Sequence, residues 1–388
     1  MEEVSVRLLT TKAIRSPMMI LLSAGAVLAT SATITAASTG RASAESTFLS
    51  SLGKPTQLAS TVPANGDINP YGVAVVQTTV GSLVKGDTLV SNFNDKANVQ
   101  GTGTTIIEIA PNGAVRTFAS VKTLPVGDSC PGGVGLTTAL SILPGGWVVV
   151  GSFPARAGGA LPLVNPAGCL IVLNNHGAVA ETWSNANING PWDMTWTTTS
   201  SGVDLFVSNA LSRPNGLQKT PAVGVCSVAR IGVSLPAGHM PRMTGSTIVG
   251  SNFQWKADKV TFIDAPTGLA LASNGTLYVA ETVGSHITKI PNALTRTSPV
   301  ADGTSTLSAG GELNSPLGLL LAPNGDVIAT NGGDGNIVEI TPQGKQIAKV
   351  TLVPNGGGDL FGATLKPGGT GLIFVNDGAN ALDVANTK

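Results

Sequence analysis

Glu281 and His286 have the residue types and spacing for proton transfer, a carboxylate and an imidazole in one short segment, ETVGSH. A His/Glu pair can serve as acid and base in a lyase or a hydrolase. The plainer expectation is a solvent-exposed histidine beside a loop glutamate. The chain has three histidines. His176 falls in a surface turn, and His239 lies in the Pro-rich stretch PAGHMPRM. There is no Gly-x-Ser-x-Gly nucleophile elbow, no Walker loop and no His-Glu-x-x-His. Asp87, Asp326 and Asp377 are scattered through turn segments and read as capping or solvated groups.

The elements that must position these groups follow from a repeat. Residues 315–350 read SPLGLLLAPNGDVIATNGGDGNIVEITPQGKQIAKV, and residues 265–290 read APTGLALASNGTLYVAETVGSHITKI. The shared frame is Pro-x-Gly, an apolar strand, Asn-Gly, a second strand, a polar turn and a third strand containing Ile. Asn274-Gly275 and Asn324-Gly325 suit two-residue hairpins with both central residues at positive φ. Further copies open at Pro70-Tyr71-Gly72, Gly133-Val134-Gly135, Pro191-Trp192-Asp193 and Leu360-Phe361-Gly362. Six units of four short strands read as an all-β chain, a six-bladed β-propeller of four-stranded antiparallel blades. The sequence reaches Lys388 soon after the sixth unit's third strand, which ends near Val384. The strand-like segment Thr56–Val62 is therefore expected to complete that blade and remove an exposed sheet edge.

Composition agrees. Of 388 residues 49 are Gly and 24 Pro, with 11% charged, 4% aromatic and 42% hydrophobic, which suits short strands and tight turns better than long helices. Residues 1–44 read as a signal peptide. Arg7, Lys12 and Arg15 form a basic region, Met18 to Ala29 an apolar stretch, and Ala42-Ser43-Ala44 a small-residue cleavage site. Ser23, Thr30, Ser31, Thr33 and Thr35 interrupt the apolar run and argue against an uncleaved anchor. Residues 45–388 are then one exported domain, periplasmic or extracellular, with no membrane attachment. Of 22 basic and 22 acidic residues, cleavage removes four and two, leaving a net charge near −2. That balance excludes the basic footprint of a nucleic-acid binder.

The Pro-x-Gly and Asn-Gly-x-hydrophobic motifs and the Ile-containing third strand resemble NHL-repeat propellers and, more distantly, the gluconolactonase and regucalcin group. In those lactonase-like relatives, acidic and Asn/Asp side chains at the inner-strand entrances hold a metal over the central channel. The matching positions here are Tyr71, Val134, Trp192, Thr267, Leu317 and Phe361. They offer almost no oxygen ligands, and Asp193, one residue further on, stands alone, so neither a metal nor another cofactor is expected there. Tyr71, Trp192 and Phe361, with Asp193, instead mark the channel mouth. They read either as an apolar stacking surface for a ligand or as side chains that plug the channel.

A second repeated position, Asn92, Ser152, Asn209, Glu281, Asn331 and Asn376, follows the second strand. Its recurrence in every blade points to a turn role, with side chains bonding local backbone. Cys130, Cys169 and Cys226 match no zinc spacing, and in the blade frame all three fall on one face. Cys130–Cys169, within one blade, is the favoured bridge; Cys169–Cys226, across neighbouring blades, is the alternative. The functional expectation is an exported, monomeric, non-catalytic scaffold. It would offer loops 92–104, 153–168 and 209–225, with Arg156, Arg213 and Lys219, to a ligand, polymer or protein. The alternative is a propeller enzyme, a lactonase-type hydrolase or a lyase using His286.

Overall fold

The computed structural model describes residues 47–125, 130–154, 167–210, 226–258 and 262–388. The segment read as a signal peptide lies outside them, as do Arg156, Arg213 and Lys219. The described residues form six blade sheets in chain order, each built on four antiparallel strands, and a small two-stranded hairpin, Lys256–Asp258 with Phe262–Asp264. Blade one is Ile68–Val75, Thr88–Asn94, Gln100–Ile109 and Val115–Ser120. Blade two is Leu140–Leu143, Trp147–Ser152, Cys169–Leu173 and Val179–Trp183. Blade three is Pro191–Thr199, Gly202–Asn209, Cys226–Ser234 and Arg242–Phe253, to which the short strand Val300–Ala301 adds in parallel. Blade four is Pro266–Leu271, Leu277–Glu281, His286–Ile290 and Thr306–Ala309, and blade five is Pro316–Leu321, Val327–Asn331, Asn336–Ile340 and Gln346–Thr351.

Blade six, Leu360–Leu365, Gly371–Asn376 and Ala381–Asn386, takes Thr56–Ser60 as its outer strand, with Thr56 opposite Val384. The closure expected from the sequence is therefore present, by a strand that ends at Ser60. A second tie supports it. The one-turn helix Phe48–Ser51 points its Phe48 and Leu49 N–H groups at the buried Glu339 carboxylate of blade five, at 3.0 and 2.8 Å. Two unsatisfied donors and one buried anion thus satisfy one another.

The hairpins differ from the expected two-residue turns. Only the glycine has positive φ, +80° at Gly275 and +88° at Gly325. Ala272 N–H donates to Thr276 O, and the Asn274 side chain accepts from Thr276 N–H. The loop is a type I turn followed by a left-handed glycine, in which Asn serves through its side chain rather than its backbone.

Blade two also starts elsewhere than Gly133-Val134-Gly135. Its inner strand is Leu140–Leu143, and Thr138 occupies the place that Thr267 holds in blade four. The Thr138 hydroxyl reaches Pro191 O at 3.4 Å, as the Thr267 hydroxyl reaches Pro316 O at 3.3 Å. The Gly-x-Gly at 133–135 is a look-alike in the preceding loop, where Gly135 N–H bonds the Ser152 hydroxyl.

The glycine of Pro-x-Gly is a packing requirement. A Cβ on Gly72 would lie 2.4 Å from Thr138 O, and one on Gly362 2.3 Å from Tyr71 O. Neighbouring blades approach too closely there for any side chain. Hydroxyls reinforce the contact: Ser208 Oγ bonds Thr267 O at 2.7 Å and Thr330 Oγ1 bonds Phe361 O at 2.9 Å, each from one blade to the next. Apolar side chains then fill the space between sheets, as where Val149, Leu170 and Val172 meet Val203, Leu205 and Val207.

Candidate functional site

The channel mouth is built by the inner-strand entrances. Tyr71, Trp192 and Phe361 converge there and are only 5%, 2% and 5% exposed. Tyr71 and Phe361 stack at 5.0 Å between ring centroids, and Trp192 meets Tyr71 edge-on at 5.9 Å while donating its Nε1–H to the Tyr71 hydroxyl at 2.8 Å. Phe93 and Phe153 pack around them. Beyond the rings, toward the other end of the inner strands, the channel is a cavity of about 380 Å³. Asp193 lines it and accepts from Leu269 N–H and Met194 N–H at 3.0 and 2.8 Å. Burial pushes its carboxyl up to about 7, against the two N–H groups, which favour the anion. No other carboxylate, and no histidine, lines that cavity among the described residues.

Most members of the repeated polar position bond local backbone. Asn209 Oδ1 accepts from Asn189 and Gly190 N–H, Asn331 Oδ1 from Asn314 N–H, and Ser152 Oγ from Gly135 N–H. In blades one, three and five a Ser or Thr precedes the Asn, at Ser91-Asn92, Ser208-Asn209 and Thr330-Asn331. Blade two has Gly151-Ser152 and blade six Val375-Asn376, and blade four alone places a carboxylate there, in Ala280-Glu281. There the structure brings together a group that the sequence showed only in part.

Glu281 ends the second strand of blade four, directly opposite His286, which starts the third. The loop between them closes through Gly284 N–H to Glu281 Oε2 at 2.9 Å. Gly284 is needed because a Cβ there would sit 2.5 Å from His286 Nδ1. The third member, Asp302, comes from the connection to the outer strand. Val300–Ala301 pairs in parallel with Gly250 and Ser251 of blade three, and Asp302 N–H donates to Ser251 O at 2.8 Å. Asp302 Oδ1 then stands 2.9 Å from His286 Nε2 and 2.5 Å from the Thr288 hydroxyl. One ligand-type atom from each of Glu281, His286 and Asp302 lies within 4.8 Å of the others.

These surroundings differ from an exposed His beside a loop Glu. The Glu281 side chain is fully buried, and those of His286 and Asp302 are 14% and 7% exposed. Burial, followed by the Asp302 charge, raises the Glu281 carboxyl to about 7, opposed by Gly284 N–H and His286. Burial alone would lower the His286 value, but its hydrogen bond to Asp302 and the charges of Asp302 and Glu281 outweigh it, and the imidazole is raised. Asp302 moves the other way: burial is outweighed by hydrogen bonds from His286 and Thr288, and its carboxyl is lowered. His286 and Asp302 thus hold one another, with the buried Glu281 carboxylate beside them. Asp302 had no signal in the repeat, because a parallel strand contact outside the blade frame delivers it.

Cys130 and Cys169 form a disulfide, with Cα atoms 5.2 Å apart, and Cys226 is a buried free thiol. His176 Nδ1 lies in a surface turn 3.1 Å from the Ser82 hydroxyl, and His239 is in the turn after Leu235-Pro236.

No family model matches the sequence, and no curated protein sequence matches it. Solved structures do. A gluconolactonase from Xanthomonas campestris aligns over 86% of this chain and 89% of its own, with a TM-score of 0.51 and 14% identity. The calcium-binding protein regucalcin from Agrobacterium tumefaciens aligns over 86% and 93%, with a TM-score of 0.51 and 11% identity. At such identity the likeness concerns architecture, and the architecture the chain shares with these distant relatives is the six-bladed β-propeller.

Proposed function

We propose that this chain is an exported binding propeller that presents one loop face to a ligand, polymer or protein and does no chemistry over its channel. The observation that carries this reading is the channel mouth. Tyr71, Trp192 and Phe361 are spent on one another; among the described residues the cavity behind them holds one carboxylate, Asp193, and the small channel pocket on their other side holds one more, Asp377, too few for a ligand cage. A lactonase-type reaction would need several oxygen ligands to hold a cation at that place. The disulfide Cys130–Cys169 is compatible with export, and no helix among the described residues is long and apolar enough to cross a membrane.

The test joins binding to turnover. The purified protein and an Arg156→Ala/Arg213→Ala/Lys219→Ala variant are applied to glycan and peptide arrays, and both are assayed with gluconolactone in the presence of calcium, zinc or manganese. The expected result is binding to one ligand class that is weakened in the variant, with no lactone hydrolysis above buffer. Metal-dependent turnover that disappears in Trp192→Ala or Asp193→Asn would sink the binding-only reading. A second reading, a lyase or hydrolase using His286 as base, draws on the 2.9 Å His286–Asp302 contact. Its mark is turnover lost in His286→Asn while the channel variants stay active.

A further inference from the structure

We infer that Glu281, His286 and Asp302 form a binding site for one divalent cation of the zinc or manganese kind, set inside blade four and away from the channel. The placement is independent of the channel mouth, since none of the three residues lines the 380 Å³ cavity or the small pocket that Asp377 shares with Tyr71, Trp192 and Phe361. The geometry suits a cation. His286 Nε2 and Asp302 Oδ1 are 2.9 Å apart, and an opening of about 0.4 Å would bring them to the spacing of about 3.3 Å between two ligands of a tetrahedral zinc with bonds of about 2.0–2.1 Å. One atom from Glu281 completes a set that lies within 4.8 Å.

A second observation points to a ligand. Glu281 Oε2 is satisfied by Gly284 N–H, but Glu281 Oε1 is buried and has no hydrogen-bond partner. An orphaned carboxylate oxygen in a fully buried side chain is costly in a folded protein. Among the described residues no Lys or Arg acts on Glu281; its charged neighbours there are Asp302, His286 and Asp264. A cation would satisfy Oε1 and offset the mutual repulsion of the carboxylates. The donor set narrows the choice. An imidazole with two carboxylates favours zinc or manganese over calcium and magnesium, which prefer sets made only of oxygen.

The surroundings resemble a built site. Asp302 is steadied by the Thr288 hydroxyl and by its own N–H on Ser251 O, the outer-shell support that ligating carboxylates receive. Gly284 leaves room for the imidazole against the loop. Glu281 also puts a carboxylate where blades one, three, five and six carry Asn and blade two carries Ser. Because Asp302 is carried by a strand paired to blade three, a bound cation would couple blades three and four at this face.

The experiment uses the full chain, oxidised and stripped with chelator, then dialysed against zinc, manganese, calcium or magnesium. Metal content is read by mass spectrometry and affinity by calorimetry. The expected result is about one equivalent of zinc or manganese retained, with affinity reduced about 100-fold or more in Glu281→Gln and in His286→Asn. A His176→Ala/His239→Ala variant, which removes the other two histidines, is expected to bind as wild type. Thermal unfolding of each stripped variant shows that it is folded before metal is added. Should Glu281→Gln fail to fold, His286→Asn and Asp302→Asn carry the comparison. Equal zinc and manganese retention by wild type and by the folded site variants overturns the inference, as does retention of calcium alone.

Discussion

Replacing Glu339 should loosen the ring closure. Its carboxylate accepts from Phe48 N–H at 3.0 Å and Leu49 N–H at 2.8 Å, and its side chain is fully buried. Hydrogen bonds to a charged group are worth about 1.5–3 kcal/mol each, so Glu339→Ala forfeits at most about 6 kcal/mol. Relief from burying an anion offsets part of this, and a net loss of about 3 kcal/mol is expected. Glu339→Gln, which keeps one acceptor oxygen, should lose about half as much. Urea unfolding followed by tryptophan fluorescence measures the loss, and limited proteolysis should show faster cleavage within residues 47–60. The control is a chain shortened to begin at residue 53, where the two donors are gone. There Glu339→Ala should be neutral or stabilising, because the carboxylate has lost its partners. An equal loss in the full and shortened chains would refute the reasoning, since the cost could not then come from holding the helix.

Three further outcomes are expected. Burial, with the Asp359 charge, pushes Asp377 up to about 7. Its folded value exceeds the unfolded one, so its contribution is complete below the unfolded value and is lost as pH rises through about 7. Asp377→Asn should therefore gain about 1–2 kcal/mol over wild type at pH 8, discounted for partial water contact, and much less at pH 4.5; a gap that does not change with pH would contradict this. Cys130→Ser/Cys169→Ser opens a link of sequence separation 39, a loop-entropy cost of about 4 kcal/mol. Reductant should lower the urea midpoint of wild type but not of the double variant. Trp192→Phe removes the donor to the Tyr71 hydroxyl and should cost about 1–2 kcal/mol in the same unfolding assay.

Much of the fold was legible because a propeller writes each blade with the same local signals. Pro-x-Gly marks the inner strand, since the glycine is imposed by the neighbouring backbone at Gly72 and Gly362. Closure by Thr56–Ser60 followed from counting strands, and the disulfide from assigning loops to faces. Blade two was misplaced by a few residues because Thr137-Thr138-Ala139 carries neither the Pro nor the Gly. Two of the three candidate site residues were legible, Glu281 and His286, because they lie five residues apart. Asp302 was not, for it reaches them through a parallel contact with blade three that no period in the sequence encodes. The burial of Glu281 was equally hidden, since the end of a second strand reads as a loop.

The closing strand sets a timetable. Ser60 bonds Asn380 across a separation of 320 residues, and a ribosome working at about 5–20 residues per second needs roughly 16–64 s to make that stretch. For all of that interval Thr56–Ser60 has no partner, and once blade six emerges its last strand is an open edge that any similar strand can join. The competitor nearest to hand is the same segment of another copy. Crowded synthesis should therefore favour molecules that exchange their first strands, while dilute refolding should favour rings that close on themselves.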